Sequence, residues 1–166
     1  MIVRTLFMLM GLGLTLSQTG CSSYELGGPK PAFTRIEIAP IKNSTSRIGT
    51  QVALEQKLIE SFTADPRIKI GPGGAKLETE VTRYTHQGLT TKSTDSYTYS
   101  SFNISITVRC TLTTNNGTKV LFKNREFNAS ATLQPNGDSS AEERSIAPGL
   151  FADIVSQIRE AATTSW

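Results

Sequence analysis

Histidine occurs once in the 166 residues, tryptophan once and cysteine twice. Two cysteines make no disulfide framework, and Cys21 and Cys110 do not form a pair at metal-ligand spacing. A Ser-His-Asp hydrolase would have to use His86, yet no Gly-x-Ser-x-Gly turn is present to expose a nucleophile. The run Gly71-Pro72-Gly73-Gly74 lacks the Gly-Lys-Ser/Thr ending of a phosphate loop and reads as a turn. Charge is sparse too. Charged residues make up 19% of the chain and the formal net charge is +3, too small a surplus for a dedicated nucleic-acid binder. Apolar residues are scarce at 37%, against roughly 45–50% in average globular chains. Serine and threonine fill the gap with 39 residues. Such a composition suits a β-rich extracytoplasmic protein whose exposed sheet face is neutral and hydroxylated.

No hydrophobic run is long enough to span a bilayer. The longest, Leu6 to Leu16, has eleven residues; as a helix it measures about 16 Å against a ~30 Å hydrocarbon core. With Arg4 before it, the run reads as a secretory signal over residues 1–20. Thr19-Gly20-Cys21 then places small residues before a cysteine, as in bacterial lipoprotein signals, although Gln18 stands where Leu is usual. Cys21 is therefore the expected lipidation site, carrying palmitate-type acyl chains that each contribute roughly 0.8 kcal/mol per buried methylene. Ser22 rather than Asp after the cysteine points to the outer membrane, periplasmic side. Residues 21–33, including Gly27-Gly28-Pro29-Lys30-Pro31, form a linker, and residues 34–166 a single α+β domain.

Within that domain Thr34 to Ile41 alternates with Ile36 and Ile38 on one face, a strand that Pro40 closes or places at an edge. A helix is expected from about Thr50 to Ala64, on Leu54, Leu58 and Phe62 together with Val52 and Ile59; Asp65-Pro66 ends it. Arg67 to Ile70 is a short extended piece. Leu77, Thr79 and Val81 mark a second strand to about Tyr84, and His86 to Ser96 reads as a Ser/Thr-rich loop. The third strand is the cleanest pattern. Phe102, Ile104, Ile106, Val108, Cys110 and Leu112 alternate with Asn103, Ser105, Thr107, Arg109, Thr111 and Thr113, so one face lies on a core and the other is wet. Asn115-Asn116-Gly117 predicts a tight hairpin. On the returning strand Val120 and Phe122 share one face while Phe127, Ala129 and Ala131 fall on the other, which requires a bulge between them. Ser140 and Glu143 have capping-box spacing for a last helix carrying Ile146, Leu150, Ile154 and Ile158, with Pro148 as a kink or a delayed start. The order is β-α-β-β-β-α, with both helices on one sheet face.

Candidate chemistry is thin. His86 reads as a solvated residue at a strand end, and Cys110 as a small inert hydrophobe on the apolar strand face. Glu142, Glu143, Glu55 and Glu60 read as helix-surface carboxylates. Glu78 and Glu80 share a strand face, with no metal-binding partner apparent nearby. The residues point to a binding protein without a cofactor or a metal rather than to an enzyme.

The chain resembles the lipopolysaccharide-assembly lipoprotein (LptE-like) family. The resemblance lies in Cys21-Ser22-Ser23-Tyr24 and in Ile36-Glu37-Ile38-Ala39-Pro40-Ile41-Lys42-Asn43-Ser44-Thr45. It continues in Leu58-Ile59-Glu60-Ser61-Phe62 with Asp65-Pro66-Arg67, in Tyr99, in Gly117-Thr118-Lys119-Val120-Leu121-Phe122 and in Trp166. It implies two helices packed on one face of a four-stranded mixed β-sheet, and a non-catalytic role. That role is plug and assembly partner of an LptD-like outer-membrane β-barrel, in contact with lipopolysaccharide. Lys92 falls where the family can carry a basic residue for that contact, with Arg83 and Lys119 as further candidates. The last loop, Gln134-Pro135-Asn136-Gly137-Asp138, departs from the family in having no Lys or Arg. Strand-Pro-x-x-Asn-x-Thr openings also occur in lipoprotein regulators of periplasmic cell-wall synthases, which is the alternative reading; a small hydrolase using His86 is a third.

Overall fold

The computed structural model describes residues 31–92, 94–114, 117–134 and 139–164. The signal, Cys21, most of the linker, Asn115-Asn116, the centre of the Gln134–Ser139 loop and Trp166 lie outside these residues.

Eight elements follow one another: β1 (Arg35–Ile38), β2 (Lys42–Asn43), α1 (Thr50–Thr63), β3 (Lys69–Ile70), β4 (Ala75–Lys92), β5 (Asp95–Thr114), β6 (Lys119–Leu133) and α2 (Ser139–Thr164). They form one mixed sheet in the order β3-β1-β4-β5-β6, with β2 also on β4. Six strands stand where four were expected. Pro40 is the main reason. It has no N–H to donate, and it splits one strand into β1 and β2, which pair parallel with successive stretches of β4. The extended piece after α1 contributes β3, added parallel to β1 at the edge. Parallel neighbours need a crossover, and α1 supplies it.

The helix boundaries follow from local chemistry. Gly49 enters α1 at φ 85°, a left-handed conformation that suits glycine, and the Thr50 hydroxyl donates to the Arg47 carbonyl at 3.1 Å. At the other end Asp65 accepts from the Arg67 amide at 3.0 Å and is gripped by the Arg67 guanidinium, Nε at 2.9 Å and Nη2 at 2.6 Å. The inner stripe of α1 is Leu54, Leu58 and Phe62, all fully buried. Val52 and Ile59, expected to share in the apolar pattern, face water instead. In the expected row of α2, Leu150, Ile154 and Ile158 are buried and Ile146 is half-buried, with Phe151, Val155, Ala161 and Ala162 widening it. Pro148 lies inside this helix rather than at its start. Glu143 does not serve as the acid of a capping box: its carboxylate turns inward, as described below.

On β5 the residues Ile104, Ile106, Val108, Cys110 and Leu112 have no exposure at all; α2 packs across β5 and β6, and α1 packs against α2 and the β1, β2 and β3 side of the sheet. The bulge in β6 is real. Cys110 pairs with Arg125 but Leu112 with Phe122, and Asn124 adopts φ 51°. The extra residue brings Phe122 and Phe127 onto the same face, their rings 6.0 Å apart edge to face. A second slip between Leu112 and Thr113 turns Val120 outward, so Val120 and Phe122 do not share a face.

The largest departure concerns His86 to Ser96. Instead of a loop, β4 and β5 continue as an antiparallel ladder to the pair Lys92–Asp95. The stretch carries no apolar alternation because β6 ends opposite Phe102 and leaves this part of the hairpin without a core to cover. Threonine is nonetheless a strong strand former, and cross-strand hydroxyl pairs serve where apolar pairs are missing. Thr90 and Ser101 lie 2.8 Å apart, and Ser100 donates to the Thr90 carbonyl at 3.1 Å. Tyr99 lies over Gly88, where a Cβ would come within 2.4 Å of the ring.

Candidate functional site

The face of the sheet turned away from the helices is built from the alternate residues of β4, β5 and β6. Read across the strands, its rows are Gln87–Asn103–Thr132, Thr85–Ser105–Ser130, Arg83–Thr107–Asn128 and Glu80–Arg109–Glu126. No apolar side chain stands in any of these rows. The first two rows are neutral hydroxyls and amides, with the Thr85 and Ser105 oxygens 2.6 Å apart, and the third adds the Arg83 guanidinium. The lowest is ionic. Arg109 donates to Glu126 at 3.0 Å and lies 3.9 Å from Glu80, and Ser44 donates to Glu80 at 2.5 Å. The row residues of β5 are half-buried by their neighbours, and those of β6 are exposed. Such a surface binds by hydrogen bonds and bridging waters rather than by apolar burial.

The three basic residues singled out as ligand contacts are not brought together. Lys92 ends β4 opposite Asp95, at one end of the long hairpin, and Lys119 begins β6 opposite Thr114, at the other. The twenty residues of β5 between those pairs put them roughly 60 Å apart at ~3.3 Å per residue. Arg83 is exposed between them, beside a bulge at Thr82. Three separated charges cannot hold one headgroup.

What the sequence analysis missed is a polar cluster on the helix side. Glu143, 3% exposed, accepts a short hydrogen bond from the Tyr84 hydroxyl. It also pairs with Arg47 Nη2 at 2.7 Å and faces His86 Nδ1 at 3.5 Å. Burial and then the Glu143 bond push the Tyr84 phenol up to about 12. His86 thus belongs to a strand rather than a loop, against the Phe102 ring at a centroid distance of 4.7 Å. The signal was available: Glu143 stands four residues before Ala147 and seven before Leu150, on the stripe that faces the core. Cys110 behaves as expected, with burial raising its thiol to about 12.

Beside this cluster, between the first halves of α1 and α2, runs a groove of about 830 Å³ lined by Ala53, Ala147, Pro148 and Phe151, with Lys57 and Arg144 also bordering it. Among the described residues no group of three His, Cys, Asp or Glu side chains is placed to hold a metal ion, and no helix is long and apolar enough to cross a membrane.

A family model described as LptE, lipopolysaccharide-assembly, matches residues 33–161. No curated protein sequence matches the chain. Among solved structures, the fold is similar to a minor lipoprotein of Acinetobacter baumannii at TM-score 0.53 and 15% identity, covering 78% of this chain and 92% of that one. It is similar also to lipoprotein B of Nitrosomonas europaea at TM-score 0.56 and 14% identity, covering 84% and 90%. A third is the rare lipoprotein B of Shewanella oneidensis, at TM-score 0.50 and 9% identity, covering 75% and 92%. At these identities the likeness is one of fold.

Proposed function

Because the chain belongs to the LptE lipopolysaccharide-assembly family, we propose that it is a non-catalytic component of lipopolysaccharide export. In this reading it seats its hydroxylated sheet face inside an LptD-like β-barrel. The supporting observation is the absence of any apolar side chain from the four rows across β4, β5 and β6. The lumen of an outer-membrane barrel is polar and wet. A plug inside it has to mate through hydrogen bonds and bridging water, and neutral hydroxyls do so without the desolvation cost that charges would carry.

The anchor and the glycolipid contacts belong to the same proposal. Cys21 carries the acyl chains and holds the domain on the periplasmic side of the outer membrane. Lys92, at the tip of the hairpin, meets lipopolysaccharide phosphate, while Arg83, on the outer face, and Lys119, at the far end of the hairpin, serve separate contacts. Affinity purification of the full chain from detergent-solubilised outer membranes tests the reading. Recovery of an outer-membrane barrel in constant ratio is expected, and purification without any barrel would overturn it.

A further inference from the structure

We propose that the groove between the first halves of α1 and α2 holds one acyl chain of lipopolysaccharide, with Arg144 meeting a phosphate at its mouth. This site is separate from the sheet face, and naming lipopolysaccharide as its occupant rests on the export reading above.

Three observations carry it. The first is size and lining: about 830 Å³ lies within the range of small-molecule sites, which are mostly apolar with a few placed polar groups. Ala53 and Ala147 keep the walls low, and Phe151, 6% exposed, lies between core and groove. The second is an isoleucine out of place. Ile48 borders the groove with 95% of its surface in water, an exposure that an apolar ligand would relieve.

The third is charge. Two carboxylates border the groove, and both are already neutralised, Glu143 by Arg47 at 2.7 Å and Glu60 by Lys57 at 2.8 Å. Arg144 is exposed and has no ion pair among the described residues. The unspent charge at the mouth is therefore positive. It suits an anionic headgroup, and a guanidinium is the side chain best shaped for phosphate. A cationic ligand would find no free carboxylate.

The test uses the full-length chain in intact cells, with a photo-crosslinking residue in place of exposed Gln56, which borders the groove, and a second, separate probe at Ser105 on the sheet face. The expected result is an adduct at position 56 that reacts with an antibody to lipid A. Arg144→Glu should lower its yield about tenfold, the loss expected of one charge-assisted contact, with the abundance of the protein unchanged. Capture of phospholipid, of a protein or of nothing at position 56 overturns the groove assignment. If the Ser105 probe still captures a barrel in that case, the proposed function stands without it. Capture of lipid A at position 56 with no barrel at position 105 would uphold the groove and remove the plug reading.

Discussion

Thr85 on β4 and Ser105 on β5 face each other across the sheet with their hydroxyl oxygens 2.6 Å apart, and Ser130 on β6 continues the row. Neither side chain touches the core, so the pair adds little to folding. Ser105→Arg should change the unfolding free energy by about 0.5 kcal/mol or less, as surface substitutions do. It should still sharply reduce the barrel recovered with the protein, because a charge is forced into a closely mated polar surface. Chemical denaturation and quantitative co-purification, run on the same variant, read the two effects separately.

Glu143 joins three elements: α2, the segment before α1 through Arg47, and β4 through Tyr84. Glu143→Ala leaves the half-buried Tyr84 phenol without its acceptor, while Arg47, whose side chain is 47% exposed, can turn to water. A cost of about 2 kcal/mol is expected, between that of an unsatisfied polar group and that of a broken buried pair. Glu143→Gln, which keeps an acceptor for Tyr84, should cost less. Urea unfolding of the two variants checks the order.

Asp65 holds the exit of α1 through its forked contact with Arg67. The Arg67 hydrogen bonds lower its carboxyl from 3.8 to about 2. A lowered folded-state value stabilises the protein above the unfolded value and ceases to do so as pH falls through the folded one. The contribution, roughly 2 kcal/mol for a shift of that size, is therefore present above about pH 4 and lost between about pH 4 and pH 2. Asp65→Asn should be less stable than the parent at pH 7 and converge with it near pH 2, as followed by thermal melts across that range.

Gly88 leaves room for the Tyr99 ring, which a Cβ would meet at 2.4 Å. Gly88→Ala should displace the ring and cost about 1–2 kcal/mol, as overpacking does. In a Tyr99→Ala background the same substitution should cost much less. A double-mutant cycle on thermal stability decides it.

How much of this was legible in the sequence depended on whether a residue's environment was a core. The face of β5 from Ile104 to Leu112, the inner rows of both helices and the β6 bulge were legible because burial imposes a period, and a break in that period has only a few geometric causes. The outer face was legible by the same token, as the other half of the alternation. The hairpin beyond Gly88 was not. With no apolar face to cover it, its threonines and serines look like a loop until the cross-strand pairs are seen. Pro40 signalled an interruption but not that the strand resumes at Lys42. Glu143 was concealed because a carboxylate near the start of a helix ordinarily faces solvent; only its spacing from Ala147 and Leu150 betrays it. Lys92, Arg83 and Lys119 could be picked out by charge, but their separation emerged only once the length of β5 was known.

The central claim is that the polar outer face of the sheet, and not the helix layer, lies against a barrel interior. Photo-crosslinkers placed singly at Ser130 on β6 and at Asp153 on the exposed side of α2, in the full-length protein in living cells, test it directly. The account predicts that Ser130 captures an outer-membrane barrel strongly and Asp153 only weakly. Equal capture from both positions, or capture from Asp153 alone, would contradict it.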